Sequence, residues 1–223
     1  MALSHNPRIV TDGLVLCLDA ANPKSYPGSG TTWYDLSGNG NDGTLVNGVE
    51  FDSTNNGSFT FDGSNQYVNV SSFYDFSTTN RITAFAWVKS SASSWNDTGW
   101  ILSKRNQFII HPDSGSKNVD FYVNDGGWNK VEYAPNAVNI WNHYCLYYDQ
   151  SNLKAFVNGE EVASMSLNTS LTSDSGSLAI GRDDGSSSRY GAGNISNVQI
   201  YNRALSASEI QQNFQALRGR YGI

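Results

Sequence analysis

The chain is divided into short apolar or alternating segments, each bounded by glycine, asparagine, aspartate or serine. Period-two segments of this kind are typical of an all-β sandwich, whereas βαβ units would alternate strands with longer helical patterns. The sequence therefore predicts two antiparallel sheets. The predicted strands are 14–19, 58–61, 67–70, 82–88, 99–104, 107–111, 119–123, 142–148, 154–157, 161–166, 178–180 and 193–201.

Two local motifs predict a hairpin turn and the start of a helix. Asn158-Gly159 lies between two period-two segments and supplies the two positive-φ positions of a type I′ hairpin turn. Near the end, Ser206 and Glu209 have the spacing of a helix capping box, which predicts a helix over 206–218 ended by Gly219. Its apolar stripe is expected to pack on the edge of the sandwich.

Length and charge limit the domain count and the partners. A chain of 223 residues with 39% hydrophobic side chains can bury one core, so we expect one domain over 13–223 after a tail over 1–12. The net charge of −6 leaves no basic stripe for nucleic acid or an anionic membrane. The N-terminus lacks an apolar run of signal-peptide length, which predicts no export by the ordinary route.

Cysteines and histidines give no catalytic pattern. Cys17 and Cys145 lie in apolar strand-like runs, which indicates buried thiols, with a disulfide left open as the alternative. His5, His111 and His143 do not form a zinc motif. His143 alternates with Cys145, and we expect both on the inner face of a sheet.

Several segments in order resemble one family. They are DGLVLCLDA, WYDLSGNGNDGTL, FTFDGSNQYVNV, ITAFAWVK, WNHYCLYYD, KAFVNGEEV, LAIGRDDG and NISNVQIYNRALSASEI. Together, over residues 13–217, they resemble laminin G-like domains of the concanavalin A-like jelly-roll superfamily, in particular those with a pentraxin-like layout. The DLSGNGNDGTL and YNRALSASEI segments also resemble bacteriophage structural proteins, which implies a virion or fibre component and a location in the phage particle.

Catalytic relatives of this fold include glucanases with an E-x-D-x-E strand. The chain has five glutamates and no such triplet. Asp120 has Tyr122 and Asn124 as its period-two neighbours, so the acid and base pair is missing. The sequence therefore predicts that the chain is not an enzyme, with a polysaccharide-degrading enzyme as a remote alternative.

Two loops are candidates for Ca²⁺, which takes six to eight oxygen ligands. The first offers Asp35, Asn39, Asn41 and Asp42, with a loop held together by Asx turns as the alternative.

The second candidate loop offers Asp183 and Asp184. Its position resembles the pentraxin-like calcium loop, which acts with an amide, here Asn106. The Glu-Gln-Asp run of those relatives is replaced by Arg182-Asp183-Asp184, and a solvated acidic turn is the alternative.

Aromatic residues in loop-like contexts are the candidate ligand contacts, because a sugar's C–H face can pack on a ring while amides and hydroxyls bind its hydroxyl groups. They are Trp95, Trp100, Trp128, Tyr133 and Tyr190, with Trp128 in NDGGWN as the best candidate. Trp87 and Trp141 lie within strand-like runs and are expected in the core. The sequence thus favours a glycan-binding or adhesion module for a host-surface polysaccharide. The alternative is a structural virion protein that contacts other virion proteins and forms a homo-oligomer.

Overall fold

The computed structural model describes residues 7–54, 56–97, 100–185 and 188–223. They form sixteen strands, a short 3-10 helix and one α-helix near the C-terminus. The strands are β1 (Leu14–Asp19), β2 (Thr32–Trp33), β3 (Gly43–Val46), β4 (Glu50–Asp52), β5 (Ser58–Asp62), β6 (Tyr67–Val70), β7 (Ile82–Ser90), β8 (Leu102–Lys104), β9 (Phe108–Pro112), β10 (Val119–Asn124), β11 (Trp128–Tyr133), β12 (Asn142–Tyr148), β13 (Asn152–Val157), β14 (Glu160–Ser166), β15 (Leu178–Ile180) and β16 (Ala192–Tyr201). The helices are η1 (Phe76–Thr78) and α1 (Ala207–Tyr221).

The strands form two antiparallel sheets of eight, which confirms the predicted fold class. Sheet A has the order β14-β13-β12-β7-β16-β5-β4, and β1 pairs with β16 beside β5. Sheet B has the order β11-β10-β9-β8-β15-β6-β3-β2. The prediction missed β2, β3, β4 and β11. The first three are two to four residues long and too short to show a period, whereas β11 alternates without a strongly apolar face.

The core lies between the sheets and is filled by every second side chain of the central strands. On β7 the inward positions are Ala84, Ala86 and Val88, and on β10 they include Phe121 and Val123. Because successive side chains of a strand point to opposite faces, the alternate positions of β10 are turned to the outside of sheet B.

The predicted hairpin between β13 and β14 is confirmed. Asn158 and Gly159 have φ of 53° and 86°, the two positive angles that a type I′ turn requires. Val157 pairs with Glu160 across the turn, and a bulge beyond Phe156 shifts the register further along the strands.

Helix α1 begins as predicted and ends later. Ser206 accepts from the backbone N–H of Glu209, and Glu209 caps Ser206 in return, which completes the capping box. The predicted end at Gly219 is wrong, because the C-cap is Gly222, in the left-handed region at φ 74°. The last turn attaches the helix to sheet A, because Arg220 donates two hydrogen bonds to Asp19 of β1, at 2.7 and 3.0 Å.

The helix covers the outer face of sheet A, so the predicted position at the sandwich edge is wrong. Its side chains Phe214 and Tyr221 stack on Trp87 of β7, with ring centroids 5.8 and 3.9 Å apart. His143 and Cys145 of β12 lie beneath the same helix, on the outer face and not on the inner face that was expected. Central strands of sheet A are therefore buried on both faces.

Both cysteines are free and buried, as the first alternative predicted. The first half of the predicted tail lies outside the described residues. In the second half, Val10 bonds to Asn213 and Tyr201, and the carbonyl of Arg8 accepts from Gln212, so this segment lies against α1 and β16. Within the described ranges, no helix combines the length and apolar character needed to cross a membrane.

Burial of His143 makes stability depend on pH. Its two ring nitrogens have no partner among the described residues, and burial lowers its pKa to about 3. An unfolded imidazole has a pKa of about 6.5, so between these values the unfolded chain binds a proton that the folded chain does not.

Lowering the pH from 7.5 to 5 is therefore expected to remove about 2 kcal/mol of unfolding free energy through His143 alone. Urea unfolding of the wild type and of His143→Phe at both pH values measures this share, since the phenyl ring keeps the stacking but cannot titrate. Equal pH dependence in the two proteins would contradict the expectation.

Candidate functional site

A depression of about 230 Å³ lies on the outer face of sheet B. Strands β9, β10 and β11 supply its floor, and the β8–β9 turn and the β15–β16 loop each add an arginine. Its lining residues are Arg105, Ile109, His111, Tyr122, Trp128 and Arg189. The depression therefore combines aromatic rings with cationic hydrogen-bond donors.

Trp128 is the exposed ring of the depression. It begins β11 after the glycine turn of the β10–β11 hairpin, and 40% of its surface is exposed. Its ring meets the edge of Tyr122, with centroids 5.8 Å apart, and the Arg105 guanidinium lies 5.6 Å from the ring centroid. The predicted loop context of Trp128 is wrong, but its exposure makes it the aromatic candidate best placed to meet a ligand.

A buried carboxylate holds the two arginines of the depression. Asp183 has no exposed surface, and Arg105 Nη1 donates to its Oδ1 and Oδ2 at 3.0 and 2.9 Å. Arg189 Nη1 donates to Oδ2 at 2.9 Å, and the backbone N–H of Gly185 donates to Oδ1 at 3.0 Å. One negative group thus fixes two guanidinium groups.

The surrounding loop is shaped to let Arg105 reach this carboxylate. A Cβ atom at Gly185 would collide with the Arg105 side chain, so any other residue there would push this arginine from its present position. The hydroxyl of Ser103 donates to Asp184 Oδ1 at 2.6 Å. Burial raises the pKa of Asp184, and that hydrogen bond opposes the rise.

These contacts can be compared with the calcium site that was predicted at Asp183 and Asp184. Asp183 is not part of a solvated acidic turn, because it is fully buried between two arginines. Asn106 is exposed in the turn that carries Arg105. A cation bound to Asp183 would have to displace both guanidinium groups, so the contacts do not favour Ca²⁺ at this carboxylate.

The other predicted calcium loop is held by its own hydrogen bonds. Asp35 accepts from the backbone N–H groups of Cys17, Ser37 and Asn41, and Asp42 accepts from the N–H of Asp35. The amides of Asn39 and Asn41 donate to carbonyls of β1. This is the Asx-turn alternative, and calcium binding here stays a prediction.

Four of the predicted aromatic contacts lie elsewhere. Trp95 and Trp100 were expected in exposed loops, which is wrong, because they are 1% and 0% exposed and meet edge to face in the core at 5.4 Å. Tyr133 lies on β11 and packs against the core, on the opposite side of the strand from Trp128. Tyr190 is partly exposed and lies near Tyr67, at 6.4 Å.

Sequence reasoning missed a group beside the depression. One ligand-type atom from each of His111, Asp113 and Asp120 lies within 4.8 Å of the others. His111 and Asp120 are cross-strand partners in the β9–β10 hairpin, and Asp113 follows the end of β9. The pairing register could have revealed the group, but a search for histidine spacing alone could not.

Burial sets the protonation of the neighbouring rings. It raises the pKa of Tyr122 to about 12, helped by a hydrogen bond from the Tyr122 hydroxyl to Asp120 Oδ2 at 2.8 Å. It lowers the pKa of His111, against the opposing charge of Asp183. Tyr122 is therefore a neutral phenol and His111 a neutral imidazole at pH 7.

Several solved structures share the fold. The binding domain of botulinum neurotoxin serotype D has a TM-score of 0.71 at 16% identity, covering 92% of this chain and 52% of that chain. The binding domain of Paraclostridial Mosquitocidal Protein 1 has a TM-score of 0.71 at 18% identity, with the same coverage of 92% and 52%.

A third structure, the botulinum neurotoxin DC binding domain in complex with rat synaptotagmin II, has a TM-score of 0.73 at 14% identity, covering 93% and 52%. This chain thus spans about half the length of these proteins. The predicted resemblance to phage structural proteins stays a prediction.

No curated protein matches the sequence. A family model does match, over residues 62–211, from β5 to the middle of α1. Its span includes the strands that form the depression and the loop that carries Asp183 and Arg189. By sequence and by architecture, the chain belongs to the concanavalin A-like lectin/glucanases superfamily.

Proposed function

We propose that the chain is a non-catalytic module that binds a glycan in the depression on sheet B. The observation that carries the proposal is the exposed Trp128 ring beside two guanidinium groups that are already fixed by Asp183. An aromatic platform packs against the C–H face of a sugar, and guanidinium groups donate to hydroxyl or carboxylate oxygens. The volume is below the usual ~300–1,000 Å³ of small-molecule pockets, which favours a single sugar ring.

The toxin binding domains support a binding role. One of them, with a TM-score of 0.71 at 14% identity, is described in complex with SialylT, and another with synaptotagmin II. These ligands belong to those proteins. The shared architecture supports recognition of a glycan or protein here without naming it.

Non-catalytic action is supported by the nature of the lining. None of the lining residues described for the depression is a carboxylic acid. Of the acids beside the depression, Asp183 pairs with two arginines, and Asp120 pairs with Lys130 and Tyr122 through one of its two oxygens. A glycosidase needs two carboxyl groups facing the bond that it breaks. Incubation with polysaccharides and measurement of new reducing ends tests this, and release at enzyme-like rates would refute it.

Exposed apolar side chains favour protein contact as a second candidate function. Ile140 and Ile223 are 51% and 37% exposed near the C-terminal end of α1. They fit the alternative of a structural virion protein that forms homo-oligomers or contacts other virion proteins. Light scattering of the purified chain tests self-association, and labelling of intact phage particles tests the virion location. A monomer that is absent from particles refutes this alternative.

Truncation of the exposed ring tests the glycan proposal. Trp128→Ala is expected to weaken glycan binding at least fivefold, because a stacking aromatic contact contributes about 1–3 kcal/mol at a buried interface. Tyr34→Ala is the matched control, since Tyr34 is 45% exposed at the opposite edge of sheet B. An array of neutral and acidic glycans identifies the ligand, and calorimetry then compares the variants. Binding to no glycan, or equal losses in both variants, would refute the proposal.

Asp183 is expected to act as a positioning residue. Asp183→Asn removes the charge that holds both arginines, which can then turn to solvent because they are 38% and 39% exposed. We expect the unfolding free energy to fall by about 1–3 kcal/mol and glycan affinity to fall with it. Asp42→Asn, an exposed acid outside the depression, should change stability by less than ~0.5 kcal/mol. Unchanged affinity in the folded Asp183→Asn protein would contradict the positioning role.

A further inference from the structure

The group His111, Asp113 and Asp120 has the composition of a metal site. The β9–β10 hairpin places His111 opposite Asp120, and Asp113 lies one residue beyond the end of β9. Their ligand-type atoms lie within 4.8 Å of one another. Three side chains from one hairpin thus converge on one small volume at the border of the depression.

Two atoms of this group are buried without a partner. Asp120 is 2% exposed, and its Oδ1 accepts no hydrogen bond from the described residues. Its Oδ2, in contrast, accepts from Tyr122 at 2.8 Å and from Lys130 at 2.9 Å. The Nδ1 atom of His111 is also buried without a partner. Unpaired buried polar atoms are costly and rare, so a group that binds both would stabilise the hairpin.

The local charge favours a cation. Glu132 lies opposite Asp120 on β11 and shares Lys130 with it, at 3.0 Å. Asp120 and Glu132 thus share one lysine, and Asp113 adds a third carboxyl group with an oxygen within 4.8 Å of a ligand-type atom of Asp120. A divalent ion would offset the excess of negative charge.

We propose that His111, Asp113 and Asp120 bind a divalent first-row transition metal ion such as Zn²⁺. An imidazole nitrogen with two carboxylate oxygens suits zinc and its neighbours, whereas Ca²⁺ takes six to eight oxygens. Ligand atoms around zinc, at ~2.0–2.1 Å from the ion, lie about 3.3 Å apart. The side chains must therefore approach one another, and Asp113, partly exposed beyond the strand, has the freedom to do so.

Zinc titration of untagged protein tests the site. After treatment with a chelator and dialysis, the protein is titrated with zinc chloride by calorimetry and in competition with a chromogenic chelator. We expect one ion per chain, at least tenfold weaker binding in His111→Gln and in Asp113→Asn, and no displacement by millimolar Ca²⁺. The matched control Asp42→Asn removes an acid from the other candidate metal loop and should bind zinc as the wild type does.

Three outcomes would overturn the proposal: no zinc binding by the wild type, unchanged binding in His111→Gln, or a loss confined to Asp42→Asn. Circular dichroism of each metal-free variant shows whether it folds. Asp113 is the least buried of the three ligands, so Asp113→Asn can still test zinc binding if His111→Gln fails to fold. Crystals soaked in zinc and measured at its absorption edge should place the ion between His111 and Asp120. Glycan binding measured with and without zinc separates this site from the proposed function, because either one can fail alone.

Discussion

Helix α1 lies on sheet A through a stack of aromatic rings around Trp87, and this contact decides which surfaces of the molecule stay open. Tyr221, His143 and Phe214 all stack on Trp87, at 3.9 to 5.8 Å. The Arg220–Asp19 pair holds the last turn of the helix to β1. With the outer face of its central strands covered in this way, sheet A presents only its outlying strands to solvent, whereas the outer face of sheet B presents the side chains of β9, β10 and β11.

The strand pattern of the sequence already predicted most of this fold. β1, β6, β12 and β15 were predicted with their full bounds, and the hairpin turn and the capping box followed from local chemistry. What the pattern could not give was the role of the outward residues on sheet A. Trp87 and His143 lie in strands whose side chains alternate as predicted, but alternation shows only that neighbouring side chains point to opposite faces of the sheet. Whether the outer face meets water or a helix depends on where α1 docks, which is a tertiary property.

The candidate site was harder to predict for the same reason. A turn-rich context suggested exposure for Trp95 and Trp100, yet both fill space between the sheets, and a Cβ at Gly191 would collide with the Trp100 ring. Trp128 was identified because it lies in a loop-like context in the sequence, NDGGWN. Asp183 was identified only as a calcium ligand, and Arg105 was not singled out, because the two residues are far apart in the chain and meet only when the β15–β16 loop folds over β8.

Two buried carboxylates hold the cationic side chains on the outer face of sheet B in place. Asp183 and Asp120 are each almost unexposed, and each holds cations that remain about two-fifths exposed. Burying a carboxylate costs several kcal/mol unless it is well paired, so the arginines and Lys130 are held in place by the cost of leaving those acids alone. Side chains fixed before a ligand arrives lose less entropy on binding. The rigidity of this face therefore comes from acids that the ligand need not touch, while the rings and cations that they position are the groups left for recognition.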